Sequence, residues 1–270
     1  MASPEEGVRF LTTSQNRVAL LEALDDSPLR PAEICERLSL SRSATHRNLS
    51  DLIDRGWAKR VDQGYVATVC GRLVLGAYNE LEETVRLVSE YGSSLEPLAN
   101  AGLTLSPAIL DEAVVTTATE NDPHGPLRHY VERIGEIELD RFRGITPVVS
   151  PLFNEAHQPV LSEGADAELL LGSSALSTSK TDYEAEFDSA ISADGLTLYV
   201  HPDPLSFGLS IIDEWVFLGA YEGGQFVACF EWTDPDIRAE AIETYESYRD
   251  AASEVDTLKG VRRRRTCGDE

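Results

Sequence analysis

Between Arg42 and Asn48 the chain concentrates side chains that can address nucleic acid. An arginine fork matches the O6 and N7 of guanine, and an asparagine amide matches the N6 and N7 of adenine, both in the major groove. Ser41, Ser43 and Thr45 add hydroxyls suited to phosphate contact or helix capping, and His46 adds an imidazole. A little further on, Lys59 and Arg60 set two cations side by side, the chemistry of a phosphate or minor-groove contact. On a single helix the same residues would be an ordinary solvated face. They become a reading surface only if the flanking elements hold them in place.

Those elements are legible on both sides. Pro31 suits the first position of a helix, and Ile34 and Leu38 follow four apart on one face. Ser39-Leu40-Ser41 makes a turn, with Ser41 positioned to cap the next helix. That helix is expected over about 42–55. Ala44 or Thr45, Leu49, Leu52 and Ile53 form its buried stripe; Arg42, Ser43, His46, Arg47 and Asn48 form its other face. Gly56 is placed to end it. Trp57–Val61 and Tyr65–Val69 alternate as a hairpin around Asp62-Gln63-Gly64. Upstream, Ser14 is the expected cap of a helix with Val18, Leu21 and Leu24 inside, and Val8, Phe10 and Leu11 are expected to pack on its side. Three helices and a two-stranded wing make a winged helix-turn-helix over residues 8–70. The expected DNA-binding residues are Arg42, Ser43, Thr45, His46, Arg47, Asn48, Lys59 and Arg60.

Residues 71–103 read as a linking helical segment. Val74, Tyr78, Leu81, Val85, Val88 and Leu95 recur at heptad-like spacing, interrupted at Gly92. This predicts a dimer-forming helix; the alternative is a helix packed on its own domain. A homodimer would set two reading helices in successive major grooves, roughly 34 Å apart. From 104 to 255 strands and helices alternate. Strands are expected at 113–118, 145–149, 167–171 and 196–200, then an antiparallel meander at 207–212, 215–221 and 225–232. Helices are expected at 126–143, 152–162, 183–192 and 237–252. The fold class is therefore α+β or α/β: a winged helix-turn-helix, a linking dimerisation helix and a C-terminal α/β domain with a mixed sheet. Residues 256–270, with Arg262 to Arg265, read as a disordered basic tail that either touches DNA phosphates or is simply solvated.

Charge supports this division. The chain holds 47 acidic and 23 basic residues, a net −24. Residues 1–70 hold 9 basic and 10 acidic residues, so the near-neutral part is the one with the reading helix. Lysine occurs only at 59, 180 and 259. Excess acid with lysine almost absent resembles the bias of halophilic archaea, whose surfaces face molar salt with a Debye length of about 3 Å at 1 M. There is no apolar run of about 18 residues and no signal-peptide core near the start, so a cytoplasmic protein off the membrane is expected. Cys35, Cys70, Cys229 and Cys267 lack metal-ligand spacing, so neither a metal nor a cofactor is expected; Cys35 and Cys229 read as core residues.

The stretch SLSRSATHRNLSDLIDRGWAKRVDQGYVAT resembles the winged helix-turn-helix of ArsR-like and TrmB-like archaeal regulators. The chain from about 8 to 255 resembles haloarchaeal transcription regulators with the middle domain first described in a methanogenesis regulator. That likeness is carried by GITPVVSPLF, ADAELLLGSSAL and LSIIDEWVFLGAYEGGQFVACFEW. It implies a phospholipase D-like α/β sensor domain without catalysis. Such catalysis needs a histidine with a lysine two residues on and an aspartate four beyond; His201 is followed by Pro202 and Asp203, and His124, His129 and His157 lack the pattern too. No GxSxG, HExxH or P-loop is present, and an enzyme is not expected. A small-molecule effector would bind beyond the strand ends, near Thr119, Pro151, Ser173, His201 and Ser206. Arg141 and Arg143 could hold a carboxylate or phosphate there, or form surface ion pairs. The expected function is a homodimeric transcription regulator of a halophilic archaeon that reads a double-stranded operator and senses an effector. The rivals are a protein-interaction module built on the wing and an enzyme of unrecognised type.

Overall fold

The computed structural model describes residues 3–137, 140–149, 157, 166–184, 187 and 195–255. The chain divides into two compact units, Met1–Arg86 and Leu87–Glu270. It is a mixed α and β protein, with a helical first unit and a second unit built on one mixed sheet.

In the first unit α1 spans Pro4–Thr12 and opens with a capping box: the Glu6 amide donates to Ser3 Oγ (3.2 Å) and the Ser3 amide to Glu6 Oε2 (3.0 Å). Phe10 and Leu11 are buried. Val8 is exposed, against expectation, because two residues of helix turn it about 200° away from Phe10. α2 (Gln15–Asp26) buries Val18, Leu20, Leu21 and Leu24; Ser14 stands at its N-cap without making the cap bond. α3 (Pro31–Arg37) buries Ile34. Ser39 turns the chain at φ 52°, and Ser41 Oγ accepts the Ala44 amide (3.2 Å) at the start of α4 (Arg42–Asp54). Gly56 ends α4 at φ +72°. β1 (Ala58–Val61) and β2 (Gly64–Ala67) pair antiparallel, and Leu29 joins them by exchanging backbone bonds with Tyr65.

α5 (Val69–Leu95) starts earlier than Gly71 and belongs to both units in sequence. A Cβ on Gly71 would lie 2.1 Å from the Trp57 carbonyl oxygen, so only glycine lets the helix approach the wing this closely. Leu75, with Val74 and Tyr78, packs in the first unit's core. Leu87, with Tyr91 and Leu95, packs in the second's. Leu81, Val85 and Val88 of the expected dimer stripe are exposed, joined by Leu73, so the heptad-like set is divided between two internal cores and solvent.

The second unit continues with α6 (Pro107–Asp111), β3 (Val114–Thr117), α7 (Gly125–Glu136), β4 (Arg141–Thr146), β5 (Asp166–Gly172), α8 (Ser173–Asp182), β6 (Leu196–His201), β7 (Phe207–Ile212), β8 (Trp215–Glu222), β9 (Gln225–Trp232), α9 (Pro235–Ala251) and β10 (Ser253–Glu254). The sheet order is β10-β6-β5-β4-β7-β8-β9-β3. β5 pairs parallel with β4 and β6, and the other pairings are antiparallel. One face carries Leu170, Leu209, Ile211, Leu218 and Phe230 under Ile237, Ala241 and Tyr245 of α9. The other carries Phe142, Ile212, Phe217 and Cys229 under Tyr130 and Ile134 of α7.

Three expectations change. The helix expected to reach Arg143 ends at Glu136: Ile137 is already extended (φ −93°, ψ 127°), and Phe142 and Arg143 alternate in β4. The strand expected at 145–149 accordingly occupies Arg141–Thr146. Ser173 opens α8, a helix not among those expected, with Gly172 as its N-cap. The helix expected at 152–162, most of that at 183–192, Pro151, Cys267 and the tail 256–270 lie outside the described residues.

Candidate nucleic-acid interface

α4 is held from behind by Leu49 and Leu52, both in the first unit's core. At 3.6 residues per turn, Arg42, Ser43, His46 and Arg47 share an arc of about 140° on the opposite side, and all four are exposed. Ser50 is exposed in the middle of that arc as well, two residues beyond the last contact expected on this helix. Ile53 falls on the same arc as Arg42, which is why it is exposed rather than buried as expected.

Two expected contact residues face inward. Thr45 is wholly buried, its Oγ1 3.3 Å from Cys35 Sγ on α3. Asn48 is 5% exposed. Both lie on the same side as Leu49 and Leu52, and Thr45 meets α3 there. The adenine-reading amide expected from Asn48 is therefore not on the surface. Lys59 and Arg60 are exposed on β1.

Charge pairing separates the cations of this unit into two groups. Arg9 pairs with Glu5, Arg37 with Asp26 (2.6 Å), Arg72 with Asp25 (3.8 Å) and Arg86 with Glu83. Arg17 and Arg55 lie over the Phe10 ring, at 4.0 and 3.8 Å. Arg42, Arg47, Lys59 and Arg60 make no ion pair among the described residues, although acids outnumber bases two to one in the chain. Arg30 behaves the same way; it is exposed beside Leu29, which is bonded to the wing. Its position just before the helix-opening Pro31 was the only sequence signal for it.

The second unit buries polar groups on its α7 face. Glu231, 4% exposed, accepts from Arg133 (3.0 Å) and lies 2.7 Å from His129 Nε2. Tyr130 Oη lies 2.6 Å from Ser210 Oγ and 3.0 Å from His157 Nε2, and burial pushes its hydroxyl well above the ordinary tyrosine range. Burial, aided by Glu231, likewise pushes the Cys229 thiol up, which keeps it protonated and inert. Cys35 is half-buried and Cys70 exposed.

Of the expected strand-end residues, Ser173 and His201 stand at neighbouring strand ends, because Gly172 pairs with His201 across β5 and β6. Thr119 is exposed at a small bridge with Asp122. His201 is buried, its Nδ1 accepting the Asp203 amide at 3.1 Å, while Ser206 is half-buried. Arg141 pairs with Asp166 (3.3 Å), and Arg143 lies over the Tyr245 ring (5.8 Å). No helix among the described residues is long and apolar enough to cross a membrane.

Residues 5–90 match the family model described as the HVO_A0261 N-terminal domain, and residues 123–251 match that of the methanogenesis regulatory protein FilR1, middle domain. A comparison with curated protein sequences finds no match. Among solved structures, the chain is similar at 17% identity to the archaeal chromatin protein TrmBL2, covering 94% of this chain and 100% of that one with a TM-score of 0.42. It is similar at 11% identity to phosphatidylserine synthase of Haemophilus influenzae Rd KW20, over 54% of this chain and 40% of that one, also with a TM-score of 0.42. HmgR of Pseudomonas aeruginosa is similar at 14% identity, over 89% and 97%, with a TM-score of 0.23.

Proposed function

We propose that this chain is a DNA-binding transcription regulator of the archaeal TrmB type. The observation that carries the reading is the group of exposed cations without carboxylate partners, Arg42 and Arg47 on α4 and Lys59 and Arg60 on β1. Leaving such cations unpaired in a chain of net −24 makes sense if the partner is a polyanion. The match of residues 123–251 to a domain of a methanogenesis regulatory protein supports the regulatory part.

On this reading Arg42 and Arg47 address base edges, with Ser43, His46 and Ser50 between them. Lys59, Arg60 and Arg30 set the register on phosphates. With Asn48 turned inward and no other amide on the exposed arc, base reading centres on guanine. The protein acts as a homodimer through the exposed apolar residues of α5, in the cytoplasm of a halophilic archaeon. Its second unit binds an effector that favours one arrangement of the two readers over another.

Duplex selection from a random library, followed by anisotropy titration of the selected site, tests the reading. Arg47→Ala is expected to cost about 1–3 kcal/mol and relax one base position. Arg60→Ala is expected to weaken all duplexes alike and reduce the salt slope by about one. A folded protein that enriches no sequence and binds no duplex would overturn it.

A further inference from the structure

The second unit holds a cleft of about 400 Å³ between α9 and the segment around Gly102 and Thr104. Its α9 wall is Glu240, Glu243, Thr244, Ser247 and Tyr248, spaced as one face of a helix. The neighbouring face, Ile237, Ala241 and Tyr245, goes into the core as an amphipathic helix requires. The cleft wall, in contrast, is made of carboxylates and hydroxyls, with no cation lining it.

Thr244 distinguishes this wall from a solvated helix face. It is only 7% exposed, and its hydroxyl has no hydrogen-bond partner among the described residues. Two other helical hydroxyls satisfy themselves on the preceding turn: Thr84 Oγ1 donates to the Glu80 carbonyl (2.7 Å) and Ser179 Oγ to that of Ala175 (2.9 Å). The hydroxyl is not sealed off, since the buried side-chain atoms left without a partner among the described residues are Arg17 Nε and Arg55 Nε; it opens into the cleft, where a ligand can reach it. The opposite wall keeps it reachable. Gly102 sits at φ +70°, and a Cβ there would come within 3.1 Å of Thr244 Oγ1.

The cleft is also fixed in shape. The Thr104 amide donates to Glu240 Oε2 (2.9 Å), which orients that carboxylate and leaves Oε1 uncommitted. Tyr248 Oη donates to the Asn100 carbonyl (2.7 Å), tying the segment down at its other end. What remains is a set of acceptors carrying negative charge. An anion is repelled. A bare divalent cation lacks ligands, since no group of three or more His, Cys, Asp or Glu among the described residues could hold one. The complement is a compact cation that brings its own N–H donors, as an ammonium group does.

We propose that this cleft binds a small organic ammonium ion, which donates to Glu240, Glu243 and the Thr244 hydroxyl. Its role as the effector rests on the regulator reading; its binding of an amine does not.

The test is calorimetric titration of the full chain with methylammonium, putrescine and spermidine chlorides in KCl-matched buffer, repeated in Glu243→Gln, Thr244→Val and the distant exposed Glu222→Gln. One-site binding of at least one amine is expected, about tenfold weaker in Glu243→Gln and Thr244→Val and unchanged in Glu222→Gln. Glu243 is exposed, so its variant keeps the fold even if Thr244→Val does not. Equal weakening in all three variants would mean diffuse counterion attraction and overturn the site. So would full displacement of the amine by equimolar magnesium, or no saturable heat with any of the three. DNA binding can fail while this succeeds, and the reverse.

Discussion

Gly64 shows how much the proposed reading surface depends on residues outside it. It sits at φ +139°, and a Cβ would fall 2.3 Å from the Leu29 carbonyl oxygen, inside the bridge that joins the wing to the start of α3. Gly64→Ala should therefore destabilise the first unit by more than about 1 kcal/mol, because both φ and space oppose it. Ser39, held at φ 52° in the turn before α4, predicts the opposite sign: Ser39→Gly should stabilise by up to about 1 kcal/mol by relieving left-handed strain. Denaturant unfolding of the two variants checks the pair, and a loss in Ser39→Gly would show that its side chain contributes more than its backbone costs. The sequence revealed the turn and the helix around these residues, since serine caps and glycine stops act locally. It offered Thr45 both to the buried stripe and to the contact set, and it did not reveal that Asn48 faces inward. Polar residue type suggested solvent for Asn48, whereas the phase of α4, set by Leu49 and Leu52, turned it inward.

Among the elements, α5 was the most legible in pattern and the least in allegiance. Heptad-like spacing appeared in the sequence, but it cannot distinguish burial against a second copy from burial against the same chain, since both remove apolar surface from water alike. Val74, Tyr78 and Leu95 serve the chain's own cores, while Leu73, Leu81 and Val88 stay more than half exposed. If the exposed set pairs two copies, Leu81→Glu should yield monomers by light scattering with its melting temperature otherwise kept at low concentration. Leu75→Ala, at a fully packed position, should cost about 2–5 kcal/mol and leave association intact. A dimer that survives Leu81→Glu would place the interface elsewhere. The boundary misread between α7 and β4 has a similar origin: Arg141 to Thr146 fits either period over so short a run, and pairing with β5 and β7 decides it.

For the molecule as a whole, strands could be read locally, but the sheet order could not, because β4 meets β7 across an intervening parallel excursion through β5 and β6. Charge was legible throughout, and it makes the last prediction. At net −24 the folded chain repels itself, over about 30 Å in 0.01 M salt and about 3 Å at 1 M. Raising KCl at fixed pH should therefore raise the melting temperature steeply and then level off once screening is complete. Buried pairing behaves differently. Glu231 is 4% exposed and held by Arg133, so Glu231→Gln should lower stability by a similar amount at low and high salt. The same comparison separates the two sources of electrostatic energy. A wild-type melting temperature that does not move with KCl would mean that the acids are spaced widely enough to be solvated singly, and the argument for a surface adapted to molar salt would fail with it.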